Sequence, residues 1–151
     1  MKIEIFDCTL REGVQSQGIS MSNEDRLKIA KKLDELGISY IEAGNPASNP
    51  KETEFFKGLN GENFKNSKIV AFGSTRRAHT EVSEDEGLKN LIAANTDIVT
   101  VFGKSWDFHV TDILSAELYE NLNMIYDTVC YLKENGKEVF YDAEHFFDGY
   151  K

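Results

Sequence analysis

Cysteine is scarce in this chain: its 151 residues hold two, Cys8 and Cys130. Two cysteines do not make the disulfide framework of a small secreted domain, so both are read as reduced thiols in a cytoplasmic protein. No run of about 18 apolar residues occurs, and no segment reads as a membrane-spanning helix. The N-terminus enters a strand-like run directly, without the charged and apolar regions of a signal peptide. Positive charge is also short, with 17 Lys and Arg against 26 Asp and Glu and a net charge of −9. That argues against nucleic acid, whose binding rests on basic patches, and the Arg76-Arg77 pair is too small to reverse it. A local cationic cluster can still hold an anionic ligand in an acidic protein. CxxC, HExxH, GxGxxG and His-x-His are all missing, and with them the usual signatures of zinc, thiol-redox and dinucleotide sites.

What is present reads as globular, with 40% hydrophobic and 28% charged residues, enough for one domain or one piece of a domain. Strand-like runs fall at Lys2–Phe6, Ser39–Ala43, Lys68–Gly73, Asp97–Gly103 and Lys137–Glu144. Helical patterns separate them. Ser22, with Asp25 three residues on, caps a helix through Leu27, Ala30 and Leu33 to Leu36, and Gly37 ends it. Pro50 opens a second helix at its first position. Ser83 and Glu86 read as a capping box before Leu88, Leu91 and Ile92. The longest helix places Leu118, Leu122, Ile125, Val129 and Leu132 on one face, closed by Gly136. Strands alternating with helices imply a parallel sheet with helices outside, five strands and four helices in all. That is either a complete open sheet or half of an eight-stranded barrel, which typically needs about 250 residues.

Polar groups recur where these strands end, which is where barrel and open-sheet enzymes carry their chemistry. After the first strand stand Thr9, Arg11, Glu12, Gly13 and Gln15. There a guanidinium that cannot be deprotonated adjoins a carboxylate, with a glycine to permit a tight turn. The second run, Tyr40-Ile41-Glu42-Ala43-Gly44, sets Glu42 inside an apolar strand. Buried, Glu42 needs a cation, and Arg11 is the obvious one; the alternative is that Glu42 points to solvent at the strand end. The third strand ends in Ser74, Thr75, Arg76 and Arg77, supplying hydroxyls and cations. In the fifth, Asp142 and Glu144 share one face by strand alternation. His79 reads as exposed, whereas His109 and His145 are open between structural and functional roles.

Asp7-Cys8-Thr9-Leu10-Arg11-Glu12-Gly13-Val14-Gln15 resembles the first-strand signature of the metal-dependent Claisen-condensing and -cleaving TIM barrels. That family holds the isopropylmalate, homocitrate and citramalate synthases and hydroxymethylglutaryl-CoA lyase. Tyr40-Ile41-Glu42-Ala43-Gly44 resembles its second-strand signature. The stretches Gly44–Lys51, Ala71–Arg77, Phe102–Asp107 and Tyr141–Gly149 are closest to the citramalate synthase-like members. The resemblance spans essentially the whole chain.

That resemblance implies the N-terminal half of a TIM (β/α)8 barrel, with residues 1–151 forming part of a single catalytic domain and the barrel's C-terminal half absent. It implies a transferase condensing acetyl-CoA with a 2-oxo acid, pyruvate to citramalate, in branched-chain amino acid biosynthesis. The alternatives are a 2-isopropylmalate or homocitrate synthase and, from another class, a non-catalytic half-barrel for binding or assembly. Arg11 matches the arginine that stabilises enolate and keto oxygen, Glu42 its partner, and Glu144 a glutamate near the thioester. Gln15, Ser74, Thr75 and Asp142 are the implied substrate-binding residues, and Glu12 the ligand of a divalent metal (Mg, Mn or Zn). The family's two metal histidines have no counterpart here, which predicts weak metal binding and no turnover. Open barrel edges predict a homo-oligomer.

Overall fold

The structure is a computed structural model, and it describes residues 3–150. Five parallel strands pair in sequence order: β1 (Phe6–Asp7), β2 (Tyr40–Gly44), β3 (Lys68–Ser74), β4 (Ile98–Lys104) and β5 (Glu138–Glu144). Parallel pairing between neighbours requires a crossover each time, and a helix supplies it. The crossover helices are α2 (Asn23–Glu35), α3 (Pro50–Leu59), α4 (Glu86–Ala93) and α5 (Leu118–Glu134). Two short helices lie at the site, α1 (Thr9–Glu12) after β1 and α6 (Phe146–Gly149) after β5, with a 3-10 turn at Gly13–Gln15 and a π-turn at His109–Ile113.

Strand alternation sorts the side chains. Ile41, Ala43, Ala71, Val99 and Val101 face outward, fully buried against Ala30, Phe56, Leu88, Leu91 and Leu132 of the helices. Burying each larger side chain of this set contributes about 1.5–3 kcal/mol. The inner face carries Tyr40, Glu42, Phe72, Thr100, Phe102, Phe140, Asp142 and Glu144. The sheet curls, since the Phe6 ring of β1 and the Phe140 ring of β5 meet edge-on at 5.6 Å, with Tyr40 5.2 Å from Phe140. Strands at opposite ends of the pairing order touch only if the sheet is rolled into a half-barrel. Among the described residues no helix is long and apolar enough to cross a membrane.

Several sequence expectations are corrected. The first strand is Phe6–Asp7 rather than Lys2–Phe6; Lys2 lies outside the described residues, and Ile5 is held from the loop before β2, its carbonyl accepting from Ser39 and Tyr40 N–H and its N–H donating to Ser39 Oγ. The segment after β1 is not a glycine turn, because Gly13 has helical φ −63° and continues the coil begun by α1. Helix α2 carries the Ser22–Asp25 capping box that its sequence predicts. Helix α4 is capped by Asp85, not by Ser83. One Asp85 oxygen accepts from Leu88 N–H and the other from Arg77 N–H, both at 3.0 Å. On α5 the buried face is Asn121, Met124, Thr128 and Leu132, while Leu118 and Leu122 are 52% and 62% exposed. The polar pair turns inward because it closes backbone groups: Asn121 donates to the Lys104 carbonyl at 2.9 Å, and Thr128 accepts from Arg76 N–H at 2.9 Å.

Candidate functional site

The C-terminal ends of β1 to β5 form one mouth, and α1 seats Arg11 over it. Arg11 Nε donates to Glu42 Oε2 at 2.7 Å, and its Nη1 pairs with Glu12. The guanidinium lies over the Phe72 ring, its Cζ 4.2 Å from the centroid. A carboxylate on one edge and an aromatic face beneath fix the fork in a single orientation. Glu42 is 2% exposed on an inner strand face. Burial raises its carboxyl above the usual range; Arg11 opposes this, and the nearby charge of Asp142 adds to it. The Thr100 hydroxyl faces Glu42 and lowers it by its dipole, although no hydrogen bond of good geometry joins them. Arg11 itself is held above its ordinary value, because the Glu42 contacts outweigh desolvation.

Of the other residues singled out from sequence, Gln15 shares with Arg11 and Phe72 a cleft of about 460 Å³ between the β1 loop and α3. Ser74 and Thr75 line a separate cavity at the ends of β3 and β4. Asp142 and Glu144 face inward from β5, opposite Phe102 and Lys104 in register. Glu144 pairs with Lys104, and Asp142 is exposed, with no hydrogen bond or ion pair among the described residues. Arg76 is not available to the mouth: it turns outward, 6% exposed, to pair with Glu120 and Asp127, each at 2.7 Å. His79 is exposed and donates its backbone N–H to Glu120. His109 and His145 meet edge-on at 4.3 Å beside Trp106, and His145 Nδ1 contacts Asp148 at 2.9 Å.

Three participants escaped the sequence reading. Phe72 is the platform under Arg11. Lys104 is the partner of Glu144, and its place at the end of an inward-facing strand position was the available signal. Arg26, 2% exposed on α2, holds Glu52 of α3 at 2.6 Å and the Ala43 carbonyl at 2.7 Å, which fixes the turn after β2. Gly44 sits there at φ +152°, and a Cβ would collide with Glu52 and lie 2.8 Å from Arg26 Nη2. Nothing in the pattern of α2 marks Arg26 as buried.

For a divalent metal the donor set is short. Glu12 offers one carboxylate, already engaged by Arg11. Among the described residues no three of His, Cys, Asp and Glu stand together in a way that could hold a metal ion. These residues do not complete a metal centre, and no chemical step is derived through one.

Comparison with known proteins fits this geometry. The HMGL-like family profile matches residues 2–149. The chain belongs to the HMGL-like family. It is 59% identical over 150 residues to an (R)-citramalate synthase of Aquifex aeolicus, covering 99% of this chain and 28% of that protein. A 2-isopropylmalate synthase of Sulfolobus acidocaldarius is 33% identical over 95% of this chain and 35% of its own length. The chain thus spans about a quarter to a third of these relatives. Among solved structures, the Bacillus subtilis HMG-CoA lyase superposes with a TM-score of 0.69 at 18% identity, over 93% of this chain and 45% of that one. At that identity the likeness speaks for the fold alone, and it is the fold of a half-barrel.

Proposed function

We propose that this chain forms the first part of the catalytic barrel of a citramalate synthase, in which acetyl-CoA is condensed with pyruvate. The methyl carbon of acetyl-CoA, once deprotonated, bonds to the keto carbon of pyruvate. The keto oxygen takes up a proton, and water then cleaves the thioester to release CoA. Oxyanion charge develops on the thioester oxygen and on the keto oxygen. Arg11, oriented by Glu42 and Phe72, is placed to stabilise such charge, a term that commonly supplies several kcal/mol. Gln15, in the same cleft, is the polar group that would touch the oxo acid. Asp142 and Glu144 would face the thioester from β5, and Ser74 and Thr75 would bind substrate at the β3 end. Glu12 would be one ligand of a divalent ion, which when bound would supply Lewis-acid chemistry at the keto group.

The observation that carries the reaction class is the seating of Arg11: a guanidinium pinned on two sides at a barrel mouth, beside a carboxylate not committed to burial. Preference for pyruvate over bulkier oxo acids rests on the gap between 59% and 33% identity. A cytoplasmic setting, a place in isoleucine biosynthesis and self-association through the sheet edges belong to the same reading.

A chimera tests it. Residues 2–149 replace the matching stretch of the Aquifex aeolicus enzyme, and citramalate formation from pyruvate and acetyl-CoA is measured. The expected result is turnover that Arg11→Lys lowers by two orders of magnitude or more, about the loss on removing an oxyanion donor. A folded chimera with no activity overturns the proposal. Turnover of 2-oxoisovalerate in preference to pyruvate would replace it with the 2-isopropylmalate reading.

A further inference from the structure

One buried hydroxyl of the barrel interior has no use in the fold. Thr100, on the inner face of β4, is 5% exposed, and its Oγ1 is buried without a hydrogen-bond partner among the described residues. Two other buried threonines are satisfied: Thr96 donates to the Ile98 carbonyl at 2.8 Å, and Thr128 accepts from Arg76 N–H at 2.9 Å. The neighbours of Thr100 across its two ladders are Phe72 on β3 and Phe140 on β5. Beside such rings a valine would fill the same space and strand no polar atom, so packing does not account for the hydroxyl.

The register sets Glu42 in front of it. Glu42 on β2 pairs with Val70 on β3, and Val70 with Ile98 on β4. Barrel strands tilt and step by about one residue from each to the next, so one layer is filled from alternate strands. Two strands on from Glu42, that step leads from Ile98 to Thr100. The carboxylate and the hydroxyl thus share a layer, 2% and 5% exposed. Glu42 Oε2 takes Arg11 Nε at 2.7 Å, its one charged donor among the described residues. An ionised carboxylate accepts several hydrogen bonds, and burial and the charge of Asp142 both press this one toward its neutral form. While Arg11 is committed to Glu42 a single donor suffices, and Thr100 is idle. An oxyanion forming at the mouth changes this, because it draws on the same guanidinium.

We propose that Thr100 is a positioning residue for the acyl transfer: as the oxyanion takes a share of Arg11, the Thr100 hydroxyl donates to Glu42 and keeps that carboxylate turned toward the guanidinium. The contact is stronger in the transition state than before it, which raises kcat and leaves KM alone. Thr100 touches no reacting atom and acts through Glu42 and Arg11. The inference deepens the acyl-transfer reading and rests on it for the identity of the oxyanion.

Two measurements test it. In the chimera, Thr100→Val is expected to lower kcat about tenfold, the worth of one hydrogen bond to a charged group, with KM for pyruvate and acetyl-CoA unchanged. Thr100→Ser keeps the hydroxyl and should recover most of the loss. In the 151-residue chain, urea unfolding reads the same contact without chemistry. Thr100→Val should not lower the midpoint of the parent, where the hydroxyl is idle. It should lower the midpoint of Arg11→Met, where Thr100 is the donor that Glu42 has left. A kcat that ignores Thr100→Val, a loss that Thr100→Ser does not recover, or an equal effect of Thr100→Val in the parent and in Arg11→Met overturns the positioning role. The two readings fail separately. An active chimera indifferent to Thr100→Val leaves the reaction standing and removes Thr100 from it. An inactive chimera beside an Arg11-dependent effect of Thr100→Val removes the reaction and leaves the Glu42 contact standing.

Discussion

Replacing Arg11 by methionine isolates the energetics of the pair at the centre of the mouth. The change keeps an unbranched apolar side chain beside Phe72 but strips Glu42, a carboxylate 2% exposed, of the Arg11 cation. Removing one partner of a buried pair costs about 3–5 kcal/mol, because the other charge is stranded. Glu42 has an escape: burial already holds its carboxyl above the usual range, and without Arg11 it rises further. A carboxyl with a raised folded-state value favours the fold below its unfolded pKa and loses that contribution as pH climbs through the folded value. The variant should therefore be worst at high pH. The expected deficit is about 3–5 kcal/mol at pH 8, falling by roughly 1.4 kcal/mol for each unit over which protonation relieves it. Urea unfolding of parent and variant at pH 5 and pH 8 measures this directly. Adding Glu42→Gln to the variant removes the stranded charge and should restore about 2 kcal/mol at pH 8. A deficit equal at both pH values, or a double variant no more stable than the single one, would refute a buried ionised Glu42.

Three further outcomes follow from contacts around the mouth. Gly44→Ala forces a Cβ toward Glu52 and Arg26 at a φ that L-residues rarely adopt, and should cost about 2–4 kcal/mol in chemical denaturation. Thr128→Val removes the acceptor of the buried Arg76 N–H and should lower stability by about 1–3 kcal/mol, read as a shifted urea midpoint with unchanged slope. Glu120 is held down to about 2 by its hydrogen bond from Arg76 and by the His79 N–H, so its contribution is present above pH 4.5 and lost as pH falls toward 2. Acid unfolding of Glu120→Gln should lack that component, worth on the order of 1–2 kcal/mol after solvent screening; coincident acid transitions would contradict the assignment.

The fold was legible because alternation of apolar runs with capped helical patterns leaves few parallel-sheet solutions, and Glu42 was legible because a carboxylate amid Tyr40, Ile41 and Ala43 demands a cation. The misreadings on α2 and α5 share one physical cause: hydrophobicity alone does not choose which face is buried. On α5 the leucines at 118 and 122 are exposed, whereas Asn121 and Thr128 are buried, because backbone groups at the ends of β3 and β4 need side-chain partners more than the wall needs apolar area. Arg26 is the same lesson on α2. Its charge is matched by Glu52, 26 residues away, and its guanidinium lies over Phe55, Cζ 3.9 Å from the ring centroid. No local pattern could pair those two. The cap at Asp85 was missed since Ser83–Glu86 satisfies the spacing rule equally well; the deciding partner was the distant Arg77 N–H.

The two cation–carboxylate pairs of the mouth are not independent. Arg11 rests on Phe72, Phe72 stacks on Phe102 with centroids 5.2 Å apart and planes 20° apart, and Lys104 Nζ lies 5.7 Å from the Phe102 centroid. An aromatic pair bridging β3 and β4 thus spaces two cations, each tied to its own carboxylate, Glu42 and Glu144. Against these two cations stand four carboxylates, Glu12, Glu42, Asp142 and Glu144, and only Asp142 has no cation of its own. The mouth is therefore anionic on balance. A ligand with a strongly anionic end would be repelled from it. A small anion carrying a single charge would meet Arg11 as its counter-ion there.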